Sequence, residues 1–263
     1  MSTTSSSSKK DTFISRTSIA RIIKDVKELR KNPLSSHGIY YQHDQDDMLT
    51  GRALIIGPSD TPYSYGMYFF KIKLPTNYPH EPPKFSFYTN DGNIRMHPNL
   101  YKNKKVCLDI LNTWYGEAWT GCQSLSSVLL TICSILTKEP LRHEPGCDER
   151  HKDFFAYTEL IRFNNFKIAI NEIMQRKDIM EEFSDLHIIA KKYIIDNMEN
   201  IISSIDTANE KYFLFKDKYP HACRDHTISS GIYQMKSLIN YKKCKSDFHN
   251  LVEHFNNDYK KEN

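Results

Sequence analysis

The chain has 263 residues, 39% of them hydrophobic and 26% charged, which is the composition of an ordinary globular protein with room for one large domain or a compact domain plus an extension. Its 36 Lys+Arg against 32 Asp+Glu leave a formal charge of +4, too balanced for the basic stripe of a nucleic-acid binder. No apolar run reaches the ~18 residues needed to span a bilayer, so neither nucleic acid nor a membrane is an expected partner.

The opening MSTTSSSSKKD lacks the apolar core of a secretory signal, and residues 1–14 read as a flexible Ser-rich tail. An intracellular chain, cytoplasmic and/or nuclear, keeps its thiols reduced. The cysteines are Cys107, Cys122, Cys133, Cys147, Cys223 and Cys244; no two are separated by two residues, so no zinc knuckle and no metal site is expected. The segment RTSIARIIKDVKELRKNP then repeats Ile19, Ile22, Ile23, Val26 and Leu29 at helical spacing. Thr17 or Ser18 can cap its start, and Pro33 lies beyond its end. Arg21, Lys24, Lys27 and Arg30 give it a basic face.

From Gly38 to Tyr88 the pattern changes to short segments rich in β-branched and aromatic residues: GIYYQHD, LTGRALIIG, YGMYFFKIKL and KFSFYT. Turn residues separate them, so four successive strands form an antiparallel meander. The three prolines of YPHEPPK rule out a central strand there and predict a stiff connection into the fourth. An irregular stretch over 90–121 precedes SLSSVLLTICSILTKEP, where Leu125, Val128, Leu129, Ile132, Ile135 and Leu136 mark a buried helix. Helix, meander, irregular stretch and helix make an α+β core over 15–151. Residues 152–263 read as a helical extension. TELIRFNNFKIAINEIMQR and FSDLHIIAKKYIIDNMENIISSI are amphipathic, KDKYPHAC interrupts them, and the segment from His226 to Phe255 holds one or two further helical segments.

Cys107, in KVCLDIL, follows a polar, turn-forming run (Tyr101 to Lys105), which places it near a loop. His97-Pro98-Asn99, eight residues before it, forms a rigid turn able to fix an amide side chain. Taken alone, a cysteine in this apolar frame is more often a packed core thiol than a nucleophile. The Pro-rich YPHEPP, then HPN, then the cysteine, then Trp119 and the helix from Ser124 resemble, in order and spacing, the ubiquitin-conjugating enzyme family over roughly 17–150. The added NTWYGEAW loop and the later HEPG resemble the Z-type and large BIR-repeat-containing members, and the helical extension resembles that of Z-type members.

The resemblance implies the family's fold and activity. Ubiquitin, or a ubiquitin-like protein, would arrive from an activating enzyme, be held on Cys107 as a thioester, and pass to a substrate lysine or a ligase. It implies no cofactor on this chain, ATP being used by the upstream activating enzyme. Asn99 would stabilise the oxyanion or brace the loop, and Glu144, with His143 beside it, would orient or deprotonate the incoming lysine. His97 would hold the loop, and Asp109 would support the site. Lys24 and Lys27 on the first helix would meet the activating enzyme. His80 and the loop residues Thr120 and Gly121 would meet a ligase, although many members serving RING ligases carry an aromatic and a proline where His80 and Gly121 stand.

The chemistry agrees with the residues. An ordinary thiol, of pKa ~8.5, is only a few per cent ionised at pH 7, which suffices against an already activated thioester. A histidine base would activate water and hydrolyse the cargo, so its absence suits a carrier better than a protease. Two rival readings are a non-catalytic ubiquitin-binding variant of the same fold, and a thiol hydrolase using Cys107 with His97, His143 or His151.

Overall fold

The computed structural model describes residues 13–262, with side chains through residue 257, so most of the expected Ser-rich tail lies outside the described residues. The first helix, α1, spans Arg16–Lys31. Its cap is Ser15, whose Oγ accepts the Ser18 N–H at 3.1 Å, and not Thr17 or Ser18. An N-cap needs extended backbone and a short side-chain oxygen, and Ser15 supplies both. Arg30 and Lys31 complement the dipole of the last turn. The buried face is Ser18, Ile22, Asp25, Val26 and Leu29; Ile23, expected inside, is exposed. Asp25 takes the inward place because Arg21 Nε donates to it at 2.8 Å and the Tyr78 hydroxyl donates to its other oxygen.

Four strands follow, β1 (Ile39–His43), β2 (Thr50–Ile56), β3 (Met67–Lys73) and β4 (Lys84–Phe87). They pair antiparallel in the order β1-β2-β3-β4, with Tyr41 opposite Ala53 and Ala53 opposite Phe70. The meander expected from the sequence is therefore present. The next helix, α2 (Leu125–Ile135), starts at Ser124 in a capping box with Ser127 and buries Leu125, Val128, Leu129, Ile132 and Ile135. With the irregular stretch between β4 and α2, this is an α+β core.

The chain after residue 151 begins as α3 (Phe154–Asn164), which runs directly into a π-helical stretch over Asn165–Glu172. Helices α4 (Lys177–Glu182), α5 (Ser184–Asp196) and α6 (Met198–Lys218) follow, and α7 (Tyr241–Glu262) ends the described chain. Between α6 and α7 the expectation of helix fails. Cys223–Arg224 (β5), Thr227–Ser230 (β6) and Met235–Leu238 (β7) form a second, three-stranded antiparallel sheet. Ile228 and Met235, buried against the extension, alternate with exposed neighbours at the strand period of two. Only from Tyr241 onward does the helical period hold.

The extension packs on the sheet of the core. Glu182 pairs with Arg52 at 2.8 Å and with Lys71 at 2.7 Å, and the Phe183 ring lies 5.2 Å from both Phe69 and Tyr88. Asn165, fully buried, accepts the Tyr68 hydroxyl at 2.6 Å and donates to the Ser64 carbonyl at 2.8 Å. A Cβ on Gly66 would stand 2.0 Å from the same Asn165 oxygen, so that position admits only glycine. One continuous hydrophobic cluster runs from Ile22 in α1 to Phe255 in α7.

Candidate functional site

The His97-Pro98-Asn99 turn is built from the inside. His97 is fully buried, and its Nδ1 accepts the Asn99 N–H at 3.0 Å. That bond leaves the ring proton on Nε2, which faces the backbone of Ile135 without completing a hydrogen bond. Burial first, and then the neighbouring His143, hold His97 well below the usual histidine range. The two imidazole rings lie 4.9 Å apart, and burial lowers His143 as well. Both rings are therefore neutral near pH 7.

Asn99 and Cys107 are clasped together. The Asn99 Nδ2 donates to the Cys107 carbonyl at 2.6 Å, and the Cys107 N–H donates to the Asn99 carbonyl at 2.9 Å. The Asn99 amide N–H group is thus committed to bracing the turn, while its Oδ1 is buried without a partner. Cys107 as a residue is only 2% exposed. Its Sγ donates to the Thr113 carbonyl at 2.7 Å, the one hydrogen bond it makes among the described residues. Expected near the surface, Cys107 lies beneath the 112–118 loop. Thr113 pins that loop, its Oγ1 accepting the Leu108 N–H at 2.8 Å and standing within 3.1 Å of the Val106 and Leu108 carbonyls. Asp109 lies under it too; a Cβ at Gly116, whose φ is +149°, would meet the Asp109 side chain at 2.7 Å.

None of the three histidines considered as a base partners the thiol. His97 is occupied as above, His143 Nε2 stands 3.3 Å from Thr137 Oγ1, and His151 Nδ1 accepts the Asp153 N–H at 3.2 Å. Glu144, half-buried, accepts a hydrogen bond from the Tyr233 hydroxyl of the extension. Sequence reasoning missed Tyr233, which is 89 positions further on and carries no local motif. It also missed Arg95, whose guanidinium is held between the Tyr101 ring at 3.7 Å and the Tyr233 ring at 3.9 Å and donates to the Pro98 carbonyl.

The expected partner-facing residues share one end of the core. Lys24, Lys27, His80, Thr120 and Gly121 are all exposed. Arg21, counted in the basic face of α1, is instead spent inside: it donates to the Gly121 and Gln123 carbonyls and ties α1 to the WTGC loop. Trp119 Nε1 donates to the Pro79 carbonyl at 2.7 Å, tying that loop to YPHEPP. A groove of about 760 Å³ between the core and the extension is lined by Asp91, Lys102 and Asn171 among others, and excludes Cys107, Asn99 and Glu144. Among the described residues no cluster of His, Cys, Asp or Glu could hold a metal, and no helix is long and apolar enough to cross a membrane.

The "Ubiquitin-conjugating enzyme" family model matches residues 21–159, more than half of the chain. Ubiquitin-conjugating enzyme E2 Z of Danio rerio and of Homo sapiens are each 41% identical over 238 residues, covering 89% of this chain and 65% and 60% of theirs. The chain thus spans somewhat less than two thirds of the length of these relatives. The human dual E2 ubiquitin-conjugating enzyme/E3 ubiquitin-protein ligase BIRC6 is 41% identical over 118 residues, 43% of this chain and 2% of that one. The matched segment contains most of α1, the meander, the clasped Asn99–Cys107 turn and α2, and the Z-type similarity runs on into the extension: the chain belongs to the ubiquitin-conjugating enzyme family.

Proposed function

We propose that the chain carries ubiquitin or a ubiquitin-like protein as a thioester on Cys107. The thiolate attacks the thioester carbonyl presented by an activating enzyme, which has already consumed ATP. A tetrahedral oxyanion forms and collapses, expelling the activating enzyme's thiolate and leaving the modifier on Cys107. A substrate lysine amine, or a ligase thiolate, then attacks the same carbonyl and expels Cys107. With a lysine, the ammonium must lose a proton, and Glu144 is the carboxylate assigned to orient it and take that proton. Asn99 serves by bracing the turn through the Cys107 carbonyl, His97 by holding Asn99, and Asp109 by supporting the 112–118 loop. Lys24 and Lys27 are assigned to the activating enzyme, and His80, Thr120 and Gly121 to a ligase. Such a chain works inside the cell, where its partners are.

The observation that carries this reading is the thiol's surroundings. Cys107 sits on a doubly clasped turn with a backbone carbonyl as its partner, and the neighbouring imidazoles are neutral and engaged elsewhere. An acyl group there meets no histidine base able to activate water against it. The test is to incubate the chain with activating enzyme, ATP and ubiquitin or a ubiquitin-like protein, and to run a non-reducing gel. A thiol-sensitive adduct, absent in Cys107→Ala, is expected. Failure with every modifier would remove the carrier reading.

A further inference from the structure

The contact between Glu144 and the extension has a particular construction. Tyr233 lies in the four-residue loop Gly231–Gln234 that joins β6 to β7, with Ser230 opposite Met235. Tyr233 and Gln234 both adopt left-handed backbone, at φ +59° and +51°. Two consecutive non-glycine residues in that region are uncommon, and such backbone persists where the surroundings over-determine it. Here they do. Lys102 Nζ donates to the Tyr233 carbonyl at 3.0 Å, and the Ile232 N–H donates to Asp153 Oδ2 at 3.1 Å. The Tyr157 ring stands edge-on to Tyr233 with centroids 6.0 Å apart. The Met235 sulfur accepts the Arg95 N–H at 3.0 Å, and the Tyr157 hydroxyl donates to the Arg95 carbonyl at 2.8 Å.

Two arms leave Tyr233 from this anchored loop. Its hydroxyl donates to the Glu144 carboxylate. Its ring covers the Arg95 guanidinium, which donates to the carbonyl of Pro98 in the turn that clasps Cys107. One side chain of the extension therefore touches the carboxylate assigned to the lysine and, through Arg95, the turn beside the thiol. A glutamate has three rotatable bonds, and a carboxylate that must meet an ammonium in one geometry gains from a fixed donor on its second oxygen.

We infer that Tyr233 is a positioning residue for lysine transfer, holding Glu144 through its hydroxyl, so that the C-terminal extension completes the second half-reaction of the site. The inference rests on the carrier reading of Cys107 and on Glu144 as its lysine-facing acid. It assigns the extension a part in passing the modifier on that is separable from accepting it. The Tyr233 hydroxyl is itself raised far above the usual phenol range, first by burial and then by the Glu144 bond, so it stays a donor at every working pH.

The test uses the full chain as wild type, Tyr233→Phe, Glu144→Gln and the double variant. Tyr233→Phe keeps the ring over Arg95 and removes only the donor. Each is charged on Cys107, and discharge is then followed to free lysine and, separately, to hydroxylamine, an amine already unprotonated at neutral pH. Lysine discharge is expected to fall about tenfold in Tyr233→Phe relative to that variant's own hydroxylamine discharge, the size of one hydrogen bond to a charged group. Glu144→Gln is expected to fall at least as far, and the double variant no further than Glu144→Gln, because the two act as one unit. Wild-type lysine discharge in Tyr233→Phe, with Glu144→Gln slow, overturns the role of Tyr233. An equal loss toward both nucleophiles makes Tyr233 merely structural, and multiplied losses in the double variant show that the two residues act independently; either overturns the proposal. Full lysine discharge in Glu144→Gln removes the acid itself, and a wild type that never charges removes the carrier reading with everything that rests on it.

Discussion

On one side of Cys107 stands the His97-Pro98-Asn99 turn, and on the other the 112–118 loop. The turn is held from four directions: His97 inside it, Arg95 on the Pro98 carbonyl, the Tyr63 hydroxyl on the Met96 carbonyl at 2.9 Å, and the Asn99 amide on Cys107. The loop is exposed at every residue, Tyr115 almost wholly so, and its hold on the thiol runs through Thr113. Cys107 is 2% exposed as a residue, so on the carrier reading one wall must move before its sulfur can meet another protein's thioester. On that reading the difference in anchoring assigns the movement to the loop and leaves the turn as the fixed wall.

The comparison breaks most directly at His97. His97→Ala leaves a cavity and strands the part-buried Asn99 N–H, and the expected cost is about 2–4 kcal/mol of global stability. Denaturant unfolding of the wild type and the variant measures it; a loss under ~1 kcal/mol would mean that the turn is not the rigid wall.

Asn99→Ala tests the same wall at the thiol. From sequence alone, an oxyanion role for Asn99 predicts that lysine transfer slows more than charging, because the amine is the poorer nucleophile. The observed clasp predicts otherwise. With Nδ2 committed to the Cys107 carbonyl, both half-reactions should fall by a similar factor, about tenfold. Single-turnover rates of each decide, and a selective loss of lysine transfer would return the amide to the oxyanion.

The pH dependence of stability sharpens the contrast. The buried His97 stays neutral in the fold, whereas the unfolded chain binds a proton at that residue below pH ~6.5. Its contribution is fully present above that pH and is lost as pH falls below it, by about 1.4 kcal/mol per pH unit for this one group. Asp44 and Asp47, each held at about 2, begin to add their own loss only nearer pH 4, where the unfolded carboxylates take up protons. Between pH 6.5 and 5 the unfolding midpoint of the wild type should therefore drop more steeply than that of His97→Ala, and parallel slopes would show that His97 takes up its proton in the fold.

Much of this site is legible in the sequence, for identifiable reasons. The turn, the thiol and the frame around them lie within eleven residues, 97–107, where spacing along the chain is spacing in space. The strands are legible because ALII and MYFF read as near-continuous apolar runs, the signature of a sheet buried on both faces. The second face is covered by the extension, whose Glu182 and Phe183 give no sign in the sequence of their partners. Tyr233 is hidden twice over. It sits in a loop between strands too short to overcome the helical pattern on either side, and its targets, Glu144 and Arg95, are distant in sequence. The burial of Cys107 is hidden for a different reason: NTWYGEAW shows that a loop is present, but nothing in its composition says where it folds.

The smallest expected effect lies on the movable wall. Thr113→Ala removes the hydroxyl that accepts the Leu108 N–H and bonds the Val106 and Leu108 carbonyls, while the backbone bond from the Thr113 N–H to the Leu108 carbonyl at 3.0 Å remains. The loop then opens for about 1 kcal/mol less, which raises the open population about fivefold and leaves the fold intact. Alkylation of Cys107 by iodoacetamide under native conditions, scored against the already exposed Cys122 as an internal standard, should speed up by that factor. The same variant should lose no more than that ~1 kcal/mol in denaturant unfolding, since the loop contributes none of the buried core. If Cys107 alkylates no faster, the closing contact is the backbone bond of Thr113 and not its side chain, and the division into a fixed and a movable wall must be drawn one residue deeper, at Leu108.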